Sequence, residues 1–282
     1  MNNGIEDQNY NYTFGTLTAM AIIFVVAGHL NYDIFTIEGF FPYYSFHMPL
    51  FVFISGYFYK EMYEKNIRKF LVKKVKRLVL PYFLWNLFYG VLVMILKRFG
   101  FTIGDKLNFY PFFIQPFIDG HQFYFNLASW FLLALFIVEV VYLLEYKIIC
   151  CVLDNELLRT CILLAISIIM GLVGIQMANS GYDYSGWLIL VRTLFFIPFY
   201  CIGNIYNRIL EKRDVIDSYF YLAILIGGVF LIMMYYGWIP TCSVVFGEFF
   251  GNPFIQYIVA FMGIAFWLRI AKIITPIVKK DG

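Results

Sequence analysis

The sequence is poor in charged residues, cysteine and histidine. Only 14% of its 282 residues are charged, compared with about 25% in a typical soluble domain. So little charge cannot cover a soluble surface or keep a chain unfolded, which excludes a soluble enzyme and a disordered protein. The five cysteines form no CxxC pair and no Cys/His cluster. This pattern argues against a disulfide-stapled module, and we predict no metal site.

Hydrophobic residues take the place of the missing charge. They make up 62% of the chain, and the mean hydropathy is +0.75. A membrane-spanning helix needs about 20 mostly apolar residues, and strict alternation, the mark of β-barrel strands, is missing here. We predict an all-α, polytopic transmembrane helical bundle of about eight spans, forming a single integral-membrane domain over 1–282. The predicted spans are 13–31, 40–59, 78–96, 127–144, 160–178, 187–205, 218–238 and 253–271.

The basic residues predict the orientation of the bundle. With a cytoplasmic N-terminus, 17 of the 21 Lys and Arg residues fall in inside segments and three in outside segments. Such a bias fixes orientation by the positive-inside rule, so we predict that both termini are cytoplasmic. Because these residues lie between apolar segments and not on an aromatic-rich soluble face, no nucleic-acid partner is predicted.

The segment 60–77 is the most basic part of the chain, with eight Lys and Arg residues and apolar residues at helical spacing. One interpretation is a cytoplasmic interfacial helix resting on anionic membrane lipid. Another is a cytoplasmic mouth that attracts a phosphorylated cofactor. The two interpretations are compatible.

Two histidines fall at similar depth in the outer half of the predicted bundle. His29 lies near the outer end of the first span, and His47 lies about seven residues into the second. Imidazole titrates near neutral pH, so the pair is a candidate general base and partner. The alternative for each is a buried histidine that is hydrogen-bonded between helices.

Glu139 and Arg192 are further charges inside predicted spans, where ionisable groups are costly and mark functional sites. Arg192 is a candidate for binding a carboxylate, phosphate or thioester oxygen, or an anchor that snorkels to the outer interface. Counting depth places Glu139 nearer the cytoplasm, so a direct Glu139–Arg192 salt bridge is not required. Trp130 and Tyr82 are typical of interface anchors, and Ser55 is typical of helix packing through Ser55–Gly56.

Four segments together resemble the membrane acyltransferase-3 family, especially the branch related to fucose 4-O-acetylases. They are AIIFVVAGH (21–29), FHMPLFVFISGYF (46–58), RLVLPYFLW (77–85) and WFLLALF (130–136). The sixth span, LVRTLFFIPFYCIGNIY, is also similar to the family, and the resemblance runs from about residue 13 to 205. It implies a multi-pass protein of a bacterial plasma membrane that transfers an acetyl group from acetyl-CoA to a hydroxyl of a surface carbohydrate.

The resemblance also implies site residues. The matching first-helix histidine is His29, which the family uses as the catalytic residue, and we place His47 beside it. The family's basic residue eleven positions earlier is Thr18 here, which leaves donor binding without its usual cation. The family has about ten spans, so the resemblance also leads us to expect that the last C-terminal helices are missing.

The hypothesis from sequence is therefore an O-acetyltransferase with membrane lipid, acetyl-CoA and a carbohydrate acceptor as partners. His29 and His47 are its predicted catalytic residues. The donor, which is a substrate and not a resident cofactor, is assigned to Lys73, Lys76, Arg77 and Tyr82. Candidates for acceptor binding or oxyanion stabilisation are Arg192, Glu139, Trp130 and Ser55. The alternatives are a transporter of a lipid-linked sugar or small solute, and a non-catalytic partner in envelope assembly.

Overall fold

Helices account for almost all of the regular structure. The computed structural model describes residues 11–29, 43–60, 62–101, 103–120, 123–214, 216–236, 242–249 and 252–278. The α-helices in these ranges are α1 (Tyr12–His29), α2 (His47–Tyr57), α3 (Met62–Lys65), α4 (Ile67–Lys74), α5 (Leu80–Arg98), α6 (Trp130–Val152), α7 (Glu156–Asn179), α8 (Ser185–Ile205), α9 (Ser218–Tyr236) and α10 (Pro253–Val278).

Short turns and one hairpin complete the described fold. Three π-helical turns (Val75–Val79, Tyr110–Ile114 and Tyr206–Leu210) and four 3₁₀ turns (Tyr43–Ser45, Gln115–Phe117, Tyr124–Ser129 and Glu211–Arg213) join or extend the helices. Strands β1 (Cys242–Ser243) and β2 (Glu248–Phe249) pair antiparallel, with Cys242 opposite Phe249. The prediction of an all-α fold is confirmed apart from this two-residue hairpin.

Four stretches of helix among the described residues are long and apolar enough to cross a membrane. They are Ile67–Arg98, Glu156–Asn179, Ser185–Arg213 and Pro253–Ile277. Helices α1, α2, α6 and α9 fall on the remaining predicted spans. The count of eight spans and the cytoplasmic termini stay predictions.

Two helices depart from a simple apolar span for visible reasons. Helix α2 has only 11 residues, about 16 Å of rise against a hydrocarbon core of about 30 Å. It begins at His47, with Pro49 in the first turn, where proline's missing N–H costs no helical hydrogen bond. The span predicted from residue 40 therefore starts later as an α-helix, and His47 lies at its first position. Helix α6 is 23 residues long but carries Glu139, Glu145 and Lys147.

The basic segment forms two helices, α3 and α4, and only α4 continues directly into the third predicted span. The Asn66 side chain begins α4 by accepting a hydrogen bond from the Lys69 backbone N–H at 3.0 Å, a standard N-cap. Phe70 is buried while Lys73 and Lys76 are exposed. Helix α4 then passes through the π turn Val75–Val79 into α5, so this part of the predicted interfacial helix and the span are one element.

Helix α8 is the centre of the bundle. Most of its apolar stretch is buried, whereas α5 and α7 expose much of theirs. It packs against α7, α2 and α6. At its contact with α2 the backbones meet: a Cβ at Gly56 would clash with the Tyr200 carbonyl, and one at Gly203 would clash with the Phe53 carbonyl. Small residues permit such close approach between membrane helices, and Gly56 confirms the packing expected of Ser55–Gly56.

We expect Gly203→Ala to lower the melting temperature of the detergent-solubilised protein. The added methyl group would meet the Phe53 carbonyl oxygen, and overpacking of this kind costs about 1–3 kcal/mol. Gly227→Ala in α9 is the matched control, since no described atom lies within 4 Å of its Cβ position. Equal melting temperatures for the two variants would contradict the backbone contact between α2 and α8.

Candidate functional site

A cavity of about 620 Å³ lies between α1, α2, α6 and the β-hairpin. This volume is within the range of small-molecule sites, about 300–1,000 Å³. Its walls are mainly apolar and aromatic. Ile22, Val25 and Val26 come from α1; Tyr44, His47, Met48 and Phe51 from α2 and the turn before it; Ala128, Trp130, Phe131, Leu132 and Leu135 from α6 and the turn before it; and residues 242–246 from the hairpin.

His47 supplies an imidazole to the wall of this cavity. It is half-buried, and its ring lies edge-on to Tyr44 with 5.5 Å between the ring centroids. His29 is the last residue of α1, one turn after Val25, which is also in the wall. The side chain of His29 lies outside the described part of the chain. The backbone of α1 thus leads from the cavity wall to the predicted catalytic position.

Arg192 and Trp130 lie together at the hairpin end of the cavity. Arg192 is 2% exposed, and its guanidinium carbon lies 4.5 Å from the centroid of the Trp130 ring, a cation–π contact. Arg192 Nη1 donates to the Asp119 carbonyl at 2.9 Å, Nε donates to the Val244 carbonyl at 3.4 Å, and Nη2 donates to the Val245 carbonyl. At least three of its N–H groups therefore bind backbone carbonyls. The two bonds to Val244 and Val245 fix the hairpin beside the cavity.

Cys242 of the hairpin also faces the cavity. Its thiol is buried and donates to the Tyr44 carbonyl at 3.5 Å. Burial raises the pKa of the Cys242 thiol to about 12. The thiol therefore stays protonated at neutral pH, in a form that is a poor nucleophile.

Ser55 and Glu139 meet in the interior, together with Lys74. The Ser55 hydroxyl donates to Glu139 Oε1 at 2.6 Å, and the Lys74 ammonium forms an ion pair with the same oxygen. Glu139 is fully buried and Lys74 nearly so. Glu139 Oε2 and the buried Tyr200 hydroxyl have no hydrogen-bond partner among the described residues. A buried ion pair that is surrounded by unsatisfied hydrogen-bonding atoms is energetically costly in a membrane interior. This cluster is therefore a candidate for a functional role.

This charged cluster of Ser55, Glu139 and Lys74 lies next to one end of the cavity. Phe51 of α2 and Leu135 of α6 line that end, which we call the floor of the cavity. On α2, Ser55 follows the wall residue Phe51 by four positions, and on α6, Glu139 follows the wall residue Leu135 by four. Residues four apart share a helix face and are separated by about 6 Å of rise. The two helices therefore carry one polar group each, a single turn beyond the apolar floor.

The four residues assigned to the donor occupy two environments. Lys76 and Arg77 are exposed, as is Lys73, whose ammonium donates to the Tyr63 hydroxyl at 3.1 Å. Tyr82 is fully buried, and it lies within electrostatic range of Arg192. The structure therefore separates Tyr82 from the three basic residues and places it in the interior.

Two other sequence expectations can be located. The Thr18 hydroxyl donates to the Phe14 carbonyl at 2.7 Å within α1. Because threonine is uncharged, this position supplies no cation for the donor. Within the described ranges, no group of three or more His, Cys, Asp or Glu side chains is arranged to hold a metal ion.

Sequence reasoning missed Lys74 and the hairpin. Lys74 belongs to the run Lys73–Lys76, and only its position on the buried face of α4, four residues after Phe70, distinguishes it from its neighbours. The hairpin lies within the segment 239–252 that was predicted to be an outside loop, and its two-residue strands are too short to leave a pattern. The helical spacing of Lys74 from Phe70 would have identified Lys74 as a residue on the buried face of α4, whereas no sequence pattern predicts the hairpin.

The comparison with known families identifies the class of this protein. A family model described as an acyltransferase domain, that of acyltransferase family 3, matches residues 16–281. The chain belongs to this acyltransferase family. The match extends past residue 205, where the resemblance noted in the sequence ends, and includes all of α9 and α10. No curated protein and no solved structure matches the chain significantly.

Membership in the acyltransferase family gives the geometry its chemical context. The protein is a membrane protein with a transferase domain, and both the cavity and the charged cluster lie within the matched residues. The cavity brings together His47, Trp130 and, through the hairpin, Arg192. The charged cluster brings together Ser55 and Glu139 but not Arg192.

We expect Arg192→Lys to loosen the hairpin, because one ammonium group cannot bind three divergent carbonyls or stack on Trp130 as a planar guanidinium does. In a variant retaining only Cys242, N-ethylmaleimide labelling should become at least about tenfold faster as the thiol gains water and its pKa falls. Arg98→Lys, at the exposed end of α5, is the control and should leave the rate unchanged. Unchanged labelling in Arg192→Lys would refute the anchoring role.

We expect Lys74→Met to destabilise the acyltransferase domain strongly, because it leaves the buried Glu139 carboxylate unpaired, at a cost of about 3–5 kcal/mol. Adding Glu139→Gln should recover most of the loss, since a neutral amide needs no counter-ion. Lys73→Met is the control: its side chain is exposed, so the change should stay within about 0.5 kcal/mol. Thermal unfolding is measured for the wild type, Lys74→Met, Glu139→Gln, the double variant and Lys73→Met, and additive effects of the two core substitutions would contradict the pairing.

Proposed function

We propose that the protein is an O-acetyltransferase of a bacterial plasma membrane. It transfers an acetyl group from cytoplasmic acetyl-CoA to a hydroxyl of a cell-surface carbohydrate, as the resemblance to the fucose 4-O-acetylase branch suggests. The observation that carries the proposal is the 620 Å³ cavity with His47 in its wall, within a chain matched by the acyltransferase family over residues 16–281. The cavity offers what acyl transfer requires: a volume large enough for the reacting groups and an imidazole in its wall.

The acceptor hydroxyl is activated by imidazole in this mechanism. His29 removes the hydroxyl proton, and the hydroxyl oxygen attacks the thioester carbonyl carbon. The tetrahedral intermediate then breaks its C–S bond, and the departing thiolate takes the proton back from the imidazolium as coenzyme A leaves. His47 orients the acceptor or the imidazolium. General base assistance of this kind contributes about 10²–10⁴-fold to the rate.

The cavity walls suit a carbohydrate. Tyr44, which is exposed, presents aromatic surface, against which the apolar face of a sugar ring can pack. His47 is one of the few polar residues in a mainly apolar wall, with Tyr44 and Ser243, so it can help to select the orientation in which a hydroxyl reaches the base. Arg192 acts here by holding the hairpin, and we do not assign it to the oxyanion because at least three of its donors already bind carbonyls.

The donor approaches from the end of the bundle that the positive-inside rule predicts to be cytoplasmic. Exposed Lys73, Lys76 and Arg77 attract its phosphates, since hydrogen bonds from cations to phosphate are strong. The pantetheine arm then passes the charged cluster, where the unpartnered Glu139 Oε2 and Tyr200 hydroxyl offer hydrogen bonds to its amides. Tyr82 is placed too deep to contact the phosphates and lines the interior instead.

We expect loss of O-acetylation in His29→Ala, by about 10²–10⁴-fold if the imidazole is the general base. The measurement is proton NMR of the host's surface polysaccharide in a gene deletion, complemented with wild type or His29→Ala. His47→Ala should reduce the signal less, because the base remains. O-acetyl signals restored only by the wild type would support the proposal and identify the modified hydroxyl.

Protein level and melting temperature of each variant are the controls, since a misfolded variant would also lose the signal. O-acetylation that persists in His29→Ala would overturn the role of this histidine. Acetyl signals unchanged by the deletion would shift the function to transport, to envelope assembly, or to an acceptor other than polysaccharide.

A further inference from the structure

A second cavity, of about 440 Å³, lies between α8, α9 and α10, apart from the site described above. Most of its wall is apolar, including Ile202 of α8 and Phe261 and Ile264 of α10. Its lining shares no residue with that of the first cavity. An apolar chamber of this size between membrane helices needs an occupant with apolar chemistry.

Charged side chains gather at one end of this second cavity. Arg213 and Asp214 come from the turn after α8, and Arg269 comes from α10, eight residues beyond Phe261. Eight residues correspond to about 12 Å along a helix, so the charges lie at one end and the apolar wall extends away from them. This is the end that the positive-inside rule predicts to be cytoplasmic.

The single acidic residue in the lining is already paired. Asp214 forms an ion pair with Arg269, accepts from Lys272 Nζ at 2.8 Å, and accepts from the Tyr206 hydroxyl at 2.8 Å. The Arg269 guanidinium is buried, and its carbon lies 4.3 Å from the centroid of the Tyr221 ring. The Asp214 carboxylate therefore holds both cations, Arg269 and Lys272, and neutralises only one of their two charges.

Arg213 is the cation left over. It is exposed, it lines the cavity, and it makes no ion pair or side-chain hydrogen bond with the residues that the structure describes. Together with Lys272 and Arg269, it gives this end three cations against the two carboxylates of Asp214 and Glu211, which leaves a net positive charge. The end of the cavity is therefore complementary to an anion.

We propose that this cavity binds an anionic glycerophospholipid of the cytoplasmic leaflet. The phosphate contacts Arg213 beside the Arg269–Lys272 pair, and an acyl chain lies along Ile202, Phe261 and Ile264. Basic pockets between membrane helices on the cytoplasmic side hold lipid headgroups in this way. The apolar wall favours a lipid over a soluble phosphate compound, because a free phosphate would leave the chamber unfilled.

The test measures lipid binding to the purified full-length protein in detergent. Native mass spectrometry and thermal unfolding are followed while dioleoyl phosphatidylglycerol or dioleoyl phosphatidylcholine is added. Inorganic phosphate and coenzyme A are added in separate arms. We expect retention of phosphatidylglycerol over phosphatidylcholine, and stabilisation by the former alone.

Two variants and a matched control assign the binding to this cavity. Arg213→Gln should weaken phosphatidylglycerol binding by about five-fold, the effect expected of one basic residue near a membrane surface. Ala265→Leu fills the lining without changing any charge, and it should displace the lipid as well. Lys212→Gln is the control, because Lys212 is exposed in the same 3₁₀ turn but does not line the cavity.

Several outcomes would overturn the proposal. Equal effects of Lys212→Gln and Arg213→Gln would mean that general surface charge binds the lipid. Equal binding of the two lipids would remove the role of the headgroup charge, and stabilisation by phosphate or coenzyme A that Arg213→Gln abolishes would make this a soluble phosphate site. Acyl transfer is not measured, so the result does not depend on the proposed reaction.

Discussion

The contact between α2 and α8 determines where the site lies. Helix α2 is too short to cross a bilayer alone, and it is held because Gly56 and Gly203 let the two backbones touch. With one face fixed on α8, the other face, which carries His47, Phe51 and Ser55 at intervals of four, is turned toward α6. The cavity wall, its floor and the charged cluster all depend on this rotation of α2.

Three of the charges that the bundle buries are compensated in different ways. Glu139 is neutralised by a cation and a hydroxyl, Arg192 by backbone carbonyls and an indole ring, and Asp214 by two cations and a phenol. Unpaired, each would cost several kcal/mol in a medium of low dielectric. Among the residues of these clusters, Glu139 Oε2, the Tyr200 hydroxyl and Arg213 still have hydrogen-bonding groups without a partner in the described structure. Both proposals made above use these groups.

The sequence predicted what depends on composition and periodicity. The apolar runs identified the helices, and the in-membrane charges Glu139 and Arg192 identified buried polar clusters, because ionisable groups are kept in such places only when partnered. The partners were predictable only in part: Lys74 is one of four basic residues in five positions, and the helical phase fixed by Phe70, which the sequence analysis did not apply, distinguishes it from the others. Arg192 binds main-chain carbonyls of distant turns, which leave no trace in residue identity, so its pairing with residues 119, 244 and 245 required the fold.

Arg192 holds the hairpin through the hairpin's backbone, so the attachment of this segment does not depend on which side chains it carries. The guanidinium binds the carbonyl oxygens of Val244 and Val245, and every residue has a carbonyl oxygen. The side chains of 242–246 that face the cavity can therefore be replaced during evolution while the segment remains anchored. Relatives that act on different acceptors can vary this part of the wall without rebuilding the helices behind it.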